Sequence, residues 1–212
     1  MRGAGPYLLA TRSAGKLREL EPLFLGAGIE VITLARAGIP ELPDEDGIES
    51  YPTFEENALA KARYFRDLSG LPTIADDSGL EVHALRGDPG VRSKRWSGRD
   101  DLTGIALDEA NNAQLLRALT GVADRGARYV CVAAMATPAR ELACRGEVKG
   151  EILEEPRGRG GFGYDPLFFA VELGKTFGEA SLAEKERVSH RGRAFHALVR
   201  AIAPVDRGVG HY

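Results

Sequence analysis

Two short apolar runs, residues 7–11 and 29–33, flank a segment in which Leu17, Leu20, Phe24 and Leu25 recur at helical spacing. Gly26 marks the end of that segment. Strand, helix and strand in this order imply an α/β layer arrangement, because each element has an apolar side that another layer must cover. The rest of the chain extends the pattern. Residues 35–52 read as a Pro-rich acidic loop, and Thr53 opens a helix to about residue 68 with Phe54, Ala58, Ala62 and Phe65 on one face. A third strand over 71–75 is expected to end at Asp76, Asp77, Ser78 and Gly79. A Gly-rich, charged loop covers 86–104 and a helix 104–119; strands at 128–136 and 140–148 form a hairpin about Thr137 and Pro138. A Gly-rich loop spans 154–166, one last helix runs over 181–202, and 204–212 is expected to be a disordered tail after a single domain over 1–203.

The composition excludes several classes. The chain has 212 residues, 43% hydrophobic and 28% charged, which is globular composition. At this size it buries roughly 70% of its unfolded surface and needs no cross-links. No run of 18 apolar residues crosses a membrane, and residues 1–6 are too short and polar for a signal peptide. Cys131 and Cys144 form no CxxC pair and sit in strand-like runs as small core residues, so a reducing cytoplasm is the expected compartment. His83, His190, His196 and His211 lack zinc-ligand spacing. With 28 basic and 31 acidic residues the formal charge is −3, which speaks against a general nucleic-acid binder.

Five motifs carry chemistry. Thr11, Arg12, Ser13, Ala14, Gly15 and Lys16 lie between a strand and a helix, where free amides, the helix dipole and Lys16 favour a phosphate. The loop is not a Walker A sequence, since Ala10 and Leu17 stand where Gly and Ser or Thr are required. The plain alternative is a helix start capped by Ser13. Asp76 and Asp77 point to opposite faces of a strand, so one can face a site while the other faces away. An Asp there suits a magnesium or base role, and an Asx turn is the plain alternative. Residues 41–56 hold seven acids and no Lys or Arg; Thr53 and Glu56 form a capping-box pattern, and chemistry alone does not choose among the loop carboxylates. Gly158, Gly160 and Gly163 match GxGxxG formally, but Pro166 blocks a following helix. That loop instead offers Phe162 or Tyr164 to stack on a base. Finally, Ser181 and Glu184 form a second capping box, and Ser189, His190 and Arg191 offer donors for a keto oxygen or purine nitrogen. Residues 185–200 carry five bases against one acid, so acidic and basic groups are segregated along the chain.

Taken in order, these motifs resemble the inosine triphosphate pyrophosphatase family from about residue 8 to residue 198. The matching residues are Thr11 with Gly15 and Lys16, Thr53-Phe-x-Glu-Asn-Ala58, Ala75-Asp-Asp-Ser-Gly-Leu80, Gly87-x-Pro-Gly-Val91 with Ser93-x-Arg95-Trp96, Gly161-Phe-Gly-Tyr-Asp-Pro166, and Glu184-Lys185 with Ser189-His-Arg-Gly192. The resemblance implies a mixed α/β fold, a twisted sheet with flanking helices in two lobes around a cleft, and a homodimer. It also implies Mg²⁺-dependent hydrolysis of ITP, dITP and XTP to monophosphate and pyrophosphate; the charge balance and hydropathy above give the expectation of no nucleic-acid and no membrane partner. By the same resemblance, residues 11–16 hold the triphosphate, Asp77 is the general base and a metal ligand, and Glu49 is the second metal ligand. Ser78 touches substrate, and Phe162, Gly163, Tyr164, Asp165, Lys185, His190 and Arg191 hold the base and sugar. Ser13 and Glu186 stand where the family usually has Asn, and Ile48 replaces one of its paired acids. The alternatives are a broader NTP pyrophosphatase, a non-catalytic nucleotide-binding module, and an RNA-binding protein using the Arg-rich segments.

Overall fold

The computed structural model describes residues 5–202; the expected tail at 204–212 lies outside them. Its strands are β1 (Tyr7–Leu9), β2 (Val31–Thr33), β3 (Thr73–Val82), β4 (Gly126–Ala136), β5 (Glu141–Ile152), β6 (Phe168–Ala170) and β7 (Lys175–Thr176). The helices are α1 (Ala14–Gly26), α2 (Phe54–Ser69), α3 (Gly104–Ala118), α4 (Leu182–Val188) and α5 (His190–Ile202). One mixed sheet has the order β2-β1-β3-β4-β5-β6-β7. Its first three strands are parallel and the remaining pairings antiparallel. The mixed α/β class expected from the sequence is the one found.

Local chemistry explains the element ends. The Ser13 hydroxyl accepts from the Lys16 N–H and starts α1, and the Thr53 hydroxyl accepts from the Glu56 N–H and starts α2. Gly70 closes α2 at φ 71°, a left-handed conformation that costs glycine little. Thr137 closes the β4–β5 hairpin, its N–H donating to the Arg140 carbonyl at 2.9 Å. β4 is the central strand and is buried on both faces, which accounts for its unbroken apolar run from Val130 to Ala136. Alternate residues of β4 feed two cores. Val130, Val132 and Ala134 pack with Phe54, Ala58 and Phe65 of α2, while Cys131, Ala133 and Met135 pack with Phe24 of α1 and Phe195 and Leu198 of α5. A third core at the far end joins Leu80, Tyr129, Leu115 and Phe168.

The structure corrects three expectations. β3 does not end before Asp76; it runs on to Val82, because Ala75 to Val82 pair antiparallel with β4. The final helix is two helices. Ser189 is extended (φ −68°, ψ 157°), ends α4, and its hydroxyl accepts from the Gly192 N–H to start α5. Strands β6 and β7, of three and two residues, were missed because runs that short carry no readable period. Among the described residues no helix is long and apolar enough to cross a membrane.

Gly146 lets α5 lie directly on β5: a Cβ there would sit 2.5 Å from the Ala194 nitrogen and would also meet the His190 carbonyl. Gly146→Ala is therefore expected to cost about 2–3 kcal/mol by overpacking, read as a lower urea midpoint with an unchanged slope. Unchanged stability would show that the α5 backbone withdraws without penalty.

Candidate active site

The site lies where β1 stops and β3 continues. β1 pairs with β3 only at Thr73 and Ile74, and the chain then turns through residues 10–13 into α1. Past Ile74 that edge of β3 is uncovered by β1, so side chains from both faces of the sheet reach around it. The Ala14 and Gly15 N–H groups, in the first turn of α1, lie outside the helix's own ladder and point the positive end of its dipole here.

Asp76 and Asp77 occupy opposite faces of β3, and both belong to the site. Asp76 is 1% exposed and faces α1 and α5; its Oδ2 lies 2.9 Å from Lys16 Nζ and 3.5 Å from Arg191 Nε. Burial pushes this carboxyl up, but Lys16, Arg191 and Lys61 outweigh it and hold it well below the usual carboxylate range. Asp76 thus does not face away, as the strand alternation allowed; it holds Lys16. Asp77 faces α2, where Asn57 Nδ2 donates to its Oδ2 at 2.9 Å and the Ser78 N–H donates to its Oδ1 at 2.9 Å. Burial, and then the charge of Glu49, push Asp77 up to about 6. Glu49 is paired with Lys61 of α2. Burial raises Glu49, but Lys61 and Lys16 overcome this and leave it below its usual range. Lys61 is buried too, which lowers its pKa, and Glu49, Asp76 and Asp77 more than reverse that.

A second charged cluster adjoins the first. Glu19 of α1 accepts from Lys185 at 2.6 Å and from Arg191 Nη1 at 2.5 Å. Lys185 also reaches Asp165 Oδ2 at 2.5 Å, and that oxygen accepts from the Phe162 N–H at 2.8 Å. Arg191 Nη2 donates to Ser78 Oγ at 2.9 Å. Both clusters meet at Arg191, which is 2% exposed. Burial alone would lower its pKa, but Glu19 and Asp76 keep the guanidinium firmly charged. His190 is buried and stacked on Tyr129, with ring centroids 4.5 Å apart. Burial, with Arg191 and Lys185 nearby, holds its pKa far below the usual value, so the imidazole is neutral at pH 7. His190 Nδ1 and Arg191 Nε are buried without a hydrogen-bond partner in the described chain.

The Gly-rich loop lies against the turn before α1. The Phe162 ring packs so closely on Gly15 that a Cβ at 15 would sit 2.5 Å from its Cδ1. Lys185 Nζ and the Arg191 guanidinium lie 5.0 and 5.4 Å from the same ring centroid. Gly15 therefore makes room for an aromatic ring as well as for backbone approach. Of the two aromatics offered for stacking, Tyr164 is committed elsewhere. It is 4% exposed, belongs to the third core, and its hydroxyl donates to the Ser93 carbonyl at 2.7 Å. Phe162 alone keeps a partly open face.

The structure brings together Lys16, Glu49, Asp77, Ser78, Phe162, Asp165, Lys185, His190 and Arg191, with Gly15 beneath the ring. Thr11 is buried and its hydroxyl accepts from the Ser13 N–H at 3.2 Å. The Arg12 side chain turns away: it grips Glu45 and the carbonyls of Ile39 and Pro40, leaving only its backbone to the turn. The Ser13 hydroxyl is used as the helix cap. The Gly163 N–H and carbonyl are bound by α3. Four residues were missed as functional: Glu19, Asn57, Lys61 and Asp76. Signals existed for each. Glu19 lies three residues after Lys16 and Lys61 four after Asn57, one helical turn in each case, while Asn57 and Asp76 stand inside quoted motifs.

A strand that ends at a helix N-terminus, with lysines and buried carboxylates gathered there, has the chemistry to bind phosphate groups. The chain belongs to the Ham1 family, whose family model matches residues 7–201. It is 50% identical over 202 residues to a dITP/XTP pyrophosphatase of Frankia alni, covering 93% of this chain and 97% of that one. It is 49% identical over 198 residues to a dITP/XTP pyrophosphatase of Thermus thermophilus, covering 92% and 90%. Among solved structures, a HAM1 protein from Coxiella burnetii superposes with a TM-score of 0.79 at 37% identity, covering 92% of this chain and 97% of that one.

Proposed function

We propose that this chain hydrolyses dITP, ITP and XTP to the nucleoside monophosphate and pyrophosphate. The observation that carries the reading is the gathering of the carboxylates Asp76, Asp77 and Glu49 with Lys61 of α2 and with Lys16 at the start of α1. The names of the Frankia and Thermus relatives support the substrate class. In this reading the protein works in the cytoplasm as a homodimer.

The residues fit Mg²⁺. Among the described residues no three His, Cys, Asp or Glu side chains cluster to hold a metal by themselves. Mg²⁺ commonly takes only one or two carboxylates and completes its shell with water and phosphate. Asp77, raised by burial and then by the nearby charge of Glu49, is a carboxylate that a cation would relieve. Asp77 and Glu49 would hold the ion, which when bound neutralises charge on the phosphate oxygens. The chain's own groups do the rest. Asp77 accepts a proton from the water that attacks the α-phosphorus. The bond from that phosphorus to the oxygen bridging the β-phosphate breaks, and the pair of electrons leaves with pyrophosphate. Lys16, Lys61 and the α1 amides stabilise that leaving group. His190, whose Nδ1 is buried without a partner in the described chain, meets the O6 edge together with Arg191, and Phe162 stacks on the purine. A 6-amino purine would leave such donors unpaired, which disfavours ATP.

Pyrophosphate release with Mg²⁺ across ITP, XTP, dITP, GTP and ATP tests the proposal. Turnover of the first three well above the last two is expected. ATP or GTP turned over as well as ITP would defeat the selectivity, and no release from any of them would defeat the reaction.

The acid limb gives a second check. Asp77 acts only when deprotonated, so kcat/KM is expected to fall as pH drops through a midpoint at or below about 6. A profile flat down to pH 4 would exclude Asp77 as the base.

A further inference from the structure

α3 packs few apolar groups; of its residues only Asn111 and Leu115 are buried. Beside Leu115, its inner face carries polar groups. Asp108 and Asn112, four residues apart and so on one side of the helix, bind both backbone polar groups of a single residue, Gly163, in the Gly-rich loop. The Gly163 N–H donates to Asp108 Oδ2 at 2.7 Å, and Asn112 Nδ2 donates to the Gly163 carbonyl at 3.0 Å. Gly163 sits at φ 63°, where its own backbone does little to fix the loop. Next to Asn112, Asn111 accepts from the Ser97 N–H at 2.8 Å and donates to the Lys94 carbonyl at 3.0 Å. Tyr164 completes the link by donating to the Ser93 carbonyl. Three buried polar atoms of this junction, Trp96 Nε1, Ser97 Oγ and Asn112 Oδ1, have no partner in the described chain. Buried polar atoms without partners are costly, so the junction holds unused bonding capacity.

We propose that Asp108 and Asn112 are positioning residues for base recognition: they fix the two peptides on either side of the Gly163 α-carbon and thereby the adjoining Phe162 ring against the turn at Gly15. Neither side chain touches the reacting phosphate. Their effect falls on nucleotide binding, and it reaches Trp96 through the same helix. The proposal rests on the reading that Phe162 meets the purine, which Phe162→Ala tests separately.

The measurements are steady-state KM and kcat with ITP, melting temperature, and the emission of Trp96, the only tryptophan, on titration with ITP in EDTA. Asp108→Ala and Asn112→Ala are expected to raise KM about 10-fold, each losing a hydrogen bond to a part-buried backbone group, with kcat changed much less. The ITP-induced change in Trp96 emission is expected to shrink in both. Asp108→Asn keeps an acceptor and is expected to recover most of the KM loss, whereas Asn112→Asp loses its donor and is not. Arg117→Ala, exposed on the same helix, serves as the neutral control. If Asp108→Ala fails to fold, the contrast between Asp108→Asn and Asn112→Asp decides. Normal KM in Asp108→Ala and Asn112→Ala, with KM raised by Phe162→Ala, would overturn the bracing role. Normal KM in Phe162→Ala would overturn the base contact and the bracing role with it.

Discussion

Asp77→Asn is expected to lower kcat by about 10²–10⁴-fold and, at the same time, to make the metal-free protein more stable at pH 7.5. The rate loss is the usual range for removing a general base. The stability gain follows from the carboxyl's environment. Asp77 titrates at about 6 in the folded protein against 3.8 when unperturbed. Between those values the native state binds more protons than the unfolded one, so stability falls as pH rises from about 4 to about 6 and stays lowered above that. A shift of about two units corresponds to roughly 3 kcal/mol at most. Asn removes that cost but cannot accept from both Asn57 and the Ser78 N–H, which returns about 1 kcal/mol. The net gain is about 1–2 kcal/mol, visible in urea titrations at pH 7.5 and absent at pH 4. A variant with near-normal turnover, or one destabilised at pH 7.5, would defeat this account of Asp77.

Arg191→Met is expected to be the most damaging single change to the charged framework. Arg191 ties Glu19, Asp76 and Ser78 together while almost wholly out of water. Its removal leaves Asp76 to Lys16 and Glu19 to Lys185, each with a charge incompletely matched. Breaking a buried pair from one side costs about 3–5 kcal/mol. The remaining lysines place the expectation at about 3 kcal/mol, a drop of about 6–12 °C in Tm for a domain of this length. Activity is expected to fall at least about 10²-fold, because Ser78 and Asp76 flank Asp77 on β3 and shift together. Arg191→Lys restores charge without the planar fork and is expected to recover stability only in part. A double-mutant cycle with Glu19→Gln is expected to show a coupling of about 1–3 kcal/mol. Normal melting of Arg191→Met would show that the site does not depend on this framework.

Much of the scaffold was legible in the sequence. The β1-α1-β2 opening, the caps at Ser13, Thr53 and Ser181 and the hairpin at Thr137 are local, and local chemistry determines them. The misread elements depend on partners distant in sequence. β3 continues through two aspartates only because β4 lies beside it for ten residues. The break at Ser189 keeps α5 on β5, where Gly146 admits its backbone. The same division holds in the site. The residues carrying chemistry stood in recognisable motifs, but their pairings did not.

By itself, the sequence determined the α/β class, the polar motifs and the segregation of acids at 41–56 from bases at 185–200. Spacing along one element reports which residues share a face, because strand and helix geometry repeat at fixed intervals. Only the tertiary structure decided that Asp76 holds Lys16 while Asp77 stands by Asn57, that Arg12 turns to Glu45, and that Tyr164 is core while Phe162 lies on Gly15. Those contacts join residues from 20 positions apart, Asp77 and Asn57, to 147 apart, Phe162 and Gly15. A charge's partner, burial and proton affinity are set by such approaches through space, and no local pattern encodes them.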